Sequence, residues 1–82
     1  MLDMTTTVRQ PHGTAYNWTL LPSDAYSAFW ENEEGDRLSV HYNAYPRFRT
    51  ATGHVYRLPV YAEDLEECLE ANATFLHEEG LL

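Results

Sequence analysis

The chain has 82 residues, thirteen acids against five arginines with no lysine, and a formal net charge of -8. That length excludes a second independent core, since each half would approach the roughly 40 residues below which chains stop folding unaided. Two Trp, six Tyr and three Phe exclude disorder, and a single cysteine, Cys68, excludes an intrachain disulfide. The start of the chain lacks the cationic and apolar regions of a signal peptide, so a cytoplasmic location is expected.

Residues 1–13 read as a flexible arm or a weak edge strand ahead of a single α+β domain over 14–82, with Pro11 and Gly13 punctuating the junction. Tyr16, Trp18 and Leu20 then alternate with polar neighbours, which places the large side chains on one face of a strand. Tyr26, Ala28 and Trp30 repeat the pattern after a turn at Leu21-Pro22-Ser23-Asp24, and the two strands are expected to pair antiparallel. Residues 31–36 hold four carboxylates and Gly35, a hairpin tip whose charges repel one another. Leu38, Val40 and Tyr42 form the cleanest half-buried strand. Over 45–53, Pro46 limits any strand to an edge, and Pro59 does the same for the strand carrying Tyr56, Leu58 and Val60.

From Ala62 the period changes to 3.6. Leu65, Cys68, Leu69, Asn72, Phe75 and Leu76 fall on one stripe, while Glu63, Asp64, Glu66, Glu67 and Glu70 face away. Gly80 suits the position just past the helix end, with Leu81 or Leu82 folding back. The fold expected is therefore α+β, an antiparallel sheet of about four strands packed against one C-terminal amphipathic helix. Residues 62–73 are similar to the helix that follows the sheet in HicB-like antitoxins. The Pro-rich turn and Gly-Asp-Thr entry that identify that family are missing, and no family is assigned on that stretch.

His12, His41, His54 and His77 with Cys68 show no paired spacing for a metal, so neither metal nor cofactor is expected. Cys68 on the apolar stripe reads as a core residue, and no carboxylate interrupts a buried strand face to serve as a tuned acid or base. A non-catalytic chain is expected. The charges segregate, with Arg37, Arg47, Arg49 and Arg57 in the middle third and seven acids between Glu63 and Glu79. Phe29, Tyr45, Arg47, Phe48, Arg49, Tyr56 and Arg57 combine the aromatic and arginine types enriched at interfaces. They suggest binding of a protein partner or a second copy, as a homodimer, through an aromatic-rich sheet face. The same mixture over 45–57 would also serve a nucleic-acid-binding strip. The acidic, lysine-free composition further suggests a salt-loving source, in whose high ionic strength self-repulsion is screened.

Overall fold

The computed structural model describes residues 4–11 and 13–82, an α+β fold in which one antiparallel sheet is covered on one side by a short helical layer. Six strands follow one another as a meander: β1 (Thr5–Arg9), β2 (Ala15–Leu20), β3 (Ser27–Asn32), β4 (Arg37–His41), β5 (Ala44–Arg49) and β6 (Val55–Arg57). The sheet thus has two strands more than the alternation alone suggests. One is β1, the edge-strand alternative for the N-terminal stretch, whose threonines give little apolar contrast and which turns Val8 toward the core beside Tyr16. Residues 1–3 of the expected arm, and His12, lie outside the described residues.

The other is β5, an interior strand paired with both β4 and β6 despite Pro46. The Pro46 carbonyl accepts the Leu58 N–H at 2.8 Å, so its nitrogen faces the same side, toward β6. That strand ends at Arg57, so the missing donor falls at the end of the ladder and removes one bond rather than interrupting a run. A register shift between Ser39 and His41 lets the β4–β5 pairing bend at the same level.

Register assigns each side chain to a face. Trp18, Trp30, Leu38, Phe48 and Tyr56 lie on the covered side, following the pairs Trp30↔Leu38, Leu38↔Phe48 and Phe48↔Tyr56. Leu65, Cys68, Leu69 and Leu76 close over Trp18, Leu38, Val40, Phe48 and Leu58 to make the core. Burial of such side chains contributes about 1.5 to 3 kcal/mol each, the main stabilisation available to a chain this short.

The helical layer is two pieces rather than one, α1 (Leu65–Ala71) and α2 (Ala73–Glu78), divided at Asn72. Asn72 is 1 % exposed, and its amide explains the division. Its Oδ1 accepts the Val60 N–H at 2.9 Å, while Nδ2 donates to the Val60 carbonyl and to the Cys68 carbonyl, each at 3.0 Å. The side chain thus pairs with a backbone unit as a neighbouring strand would, just where Pro59 has ended the sheet. It ties the layer to the chain leading into it. The stripe expected from the sequence is otherwise as found, and Gly80, at φ 71°, ends α2: its N–H and that of Leu81 return to the carbonyls of His77 and Leu76.

The acidic tip between β3 and β4 is organised rather than merely repulsive. Asn32 Oδ1 accepts the N–H groups of Glu34 and Asp36, both at 3.0 Å. Glu33 takes both the backbone and side-chain N–H of Asn17, and Asp36 takes the N–H of Ala51. Two of the four carboxylates therefore bind neighbouring segments to the hairpin. Gly35, at φ 86°, makes the turn, and a Cβ there would stand 3.3 Å from the Ala51 Cβ.

Candidate functional site: the open face of the sheet

Because the helices cover one side only, the residues of opposite parity form an open face. Across β3, β4, β5 and β6 the register aligns Phe29, Ser39, Arg47 and Arg57 in one row, and Glu31, Arg37, Arg49 and Val55 in the next. Directly opposed residues stand about 4.5 to 5.5 Å apart at Cα, so Arg37 with Arg49 and Arg47 with Arg57 are like-charge pairs. Such pairs are unfavourable within a sheet. Among the described residues the sole ion pair is Arg37 with Glu31, at 3.5 Å on the surface, and it offsets little of that repulsion. Folding alone does not call for this concentration of charge.

At the β4–β5 end the face turns aromatic. The Arg57 guanidinium lies 5.3 Å from the centroid of the Tyr45 ring, and Tyr61 meets that ring edge-on at 6.4 Å. Asn43, in the positive-φ region at 64°, donates its N–H to the Tyr61 hydroxyl, which in turn donates to Glu63. That last bond raises the Tyr61 phenol above its ordinary pKa. Further along, Phe29 is 36 % exposed and sets its ring at 80° to that of His41. His41 is held at both nitrogens, Nδ1 by the Ser27 hydroxyl at 2.9 Å and Nε2 by the Ser39 hydroxyl at 3.0 Å.

Of the residues singled out in the sequence, Phe29, Tyr45, Arg47, Arg49 and Arg57 share this face. Phe48 and Tyr56 do not. Phe48 is fully buried and Tyr56 packs against the core, because each alternates with an arginine and must point the other way. Arg37 and His41 complete the face, and the alternation with Leu38 and Val40 already carried that information. His54 lies away from this face, in the turn between β5 and β6. Cys68 is buried in the core, and desolvation pushes its thiol up to about 12, far from a nucleophile's range. No family model, curated protein or solved structure matches this chain.

Proposed function

We propose that the chain is a non-catalytic binding module whose open sheet face docks the acidic surface of a protein partner. The observation that carries this reading is the set of four arginines, Arg37, Arg47, Arg49 and Arg57, held in cross-strand register with one weak internal carboxylate partner. Such an array is destabilising unless something anionic covers it. A symmetric dimer through the same face would set arginines against arginines, so a second copy docked in that way is disfavoured. The flanking Phe29 and Tyr45 supply the aromatic anchors common at interface centres.

Single-stranded nucleic acid is the second reading, favoured by the aromatics beside the arginines. It is weakened by geometry, because Arg57 already covers one side of the Tyr45 ring. The test is a heteronuclear NMR titration of the full chain with polyglutamate and with oligothymidylate of matched charge. The expected result is shift changes at Arg47, Arg49 and Arg57, tighter for polyglutamate, weakening with salt and abolished in an Arg47→Glu/Arg49→Glu variant. Preference for oligothymidylate would select the second reading, and no response on this face to either polymer would reject both.

A further inference from the structure

At the β3–β4 end of the sheet, on the side the helices occupy but beyond their reach, lies a cleft of about 210 Å³. Its lining includes Asp24, Tyr26, Ala28, Val40, Tyr42 and Glu63. Tyr26 and Tyr42 are exposed at 71 % and 68 %, although two such rings would be expected to seek cover. They stand together because the Tyr42 N–H donates to the Tyr26 carbonyl at 2.7 Å, extending the β3–β4 ladder past the last paired residues. Ala28 and Val40, one step inward on the same strands, give the cleft apolar surface.

The carboxylates are fixed in place. Asp24 Oδ1 accepts the N–H groups of Tyr26 and Ser27, both at 2.8 Å, and Glu63 accepts the Tyr61 hydroxyl, which is held by the Asn43 N–H. Neither carboxylate has a cationic partner among the described residues. The arginines of the open face project to the opposite side of the sheet. His41 borders the cleft, but both of its ring nitrogens are engaged by serines.

Two aromatic rings, apolar surface and two unneutralised carboxylates define the complement of a cation that is itself partly apolar. We infer that this cleft binds an organic cation, an alkylammonium or guanidinium group such as a basic or methylated side chain presents. A hydrated metal ion would gain nothing from the tyrosine rings or from Ala28 and Val40, and a neutral apolar group would leave the carboxylates unanswered. The arginine face selects the opposite charge and meets the cleft at Tyr61, whose ring touches Tyr45 and whose hydroxyl reaches Glu63.

The experiment is an NMR titration of the labelled full chain with tetramethylammonium, methylguanidinium and the neutral isostere tert-butanol. Saturable shifts at Tyr26 and Tyr42 are expected for the cations, with tert-butanol at least roughly tenfold weaker. Tyr26→Leu and Tyr42→Leu should each weaken binding about tenfold, and Glu63→Gln severalfold while its amide oxygen still accepts the Tyr61 hydroxyl. Because both tyrosines are exposed, an unchanged amide spectrum elsewhere shows that the variants fold. A trimethyllysine peptide that binds more tightly than tetramethylammonium assigns the cation to a peptide, and equal affinity assigns it to a free small molecule. Equal binding of tert-butanol, or shifts confined to the glutamates of α1, would overturn the inference.

Discussion

Replacing Asn72 tests the proposed anchor between the helical layer and the sheet. In Asn72→Leu the branched shape and the number of heavy atoms are kept, but the N–H and carbonyl of Val60 both lose their partner. An unsatisfied backbone group costs about 1 to 3 kcal/mol. Val60 is only partly covered, so about 1 to 2 kcal/mol for each group is appropriate, or about 2 to 4 kcal/mol together. For a chain of this length the whole stability is about 4 to 12 kcal/mol, and the melting temperature should fall by roughly 10 to 25 °C. Urea unfolding followed by the fluorescence of Trp18 and Trp30 is the assay. Asn72→Asp separates hydrogen bonding from packing. Its ionised carboxylate still accepts the Val60 N–H but sets a negative oxygen against the carbonyls of Val60 and Cys68, which raises its folded-state pKa. Stability contributed by the protonated form is therefore full below the unfolded value of about 4 and lost as pH rises through the folded value. The Asp variant should approach wild type in acid and fall away at neutral pH. A loss under about 1 kcal/mol in Asn72→Leu, or an Asp variant whose deficit ignores pH, would refute the anchor.

Cys68 and the surface charge give two further tests. The buried thiol, raised from 9.0 to about 12, favours the fold while neutral, so stability should be full below pH 9 and decline as pH rises toward 12. A Cys68→Ala variant should lose the thiol's share of that alkaline decline, leaving the share of the raised Tyr61 phenol, and alkylation of the native thiol at pH 8 should proceed only through unfolding. Salt should stabilise the fold: at about 0.01 M the Debye length of about 30 Å spans most of a body measuring 35 × 28 × 24 Å, and at about 1 M it shrinks to near 3 Å. A melting temperature that rises with chloride is expected, and one that is flat or falls would show that attraction between the arginine face and the acids outweighs their self-repulsion.

Period-two alternation was sufficient to place β2, β3 and β4 and to assign Trp18, Leu38 and Val40 to the core, and the 3.6-residue stripe placed the helical layer. What it missed has local causes. Pro46 hid β5 because a missing donor counts against an interior strand unless one knows that the neighbouring ladder ends there. The division at Asn72 depends on Val60, twelve residues away in sequence, and no helical period reports such a contact. Half of the candidate site was written in the alternation, since Arg47 and Arg49 must share a face from which Phe48 is excluded. Reading 45–57 as one strip sets that rule aside. The tyrosine cleft was less accessible, because Tyr26 and Tyr42 come together only through the pairing of two strand ends.

The strand order of the sheet is the order of the chain, and this shapes how the molecule is made. As the polypeptide leaves the ribosome each strand finds its partner already present in the preceding one, and every closure is short. The residues that seal the apolar face, Leu65 through Leu82, emerge only after all six strands. Until they do, Trp18, Leu38, Val40 and Phe48 line a sheet that is assembled but uncovered, with a free edge at β1. That interval is when a nascent chain of this kind is most exposed to neighbours and to chaperones. Seven of the thirteen acids arrive only with the helices, so the uncovered sheet carries six acids against five arginines and has little net charge to keep half-made sheets apart.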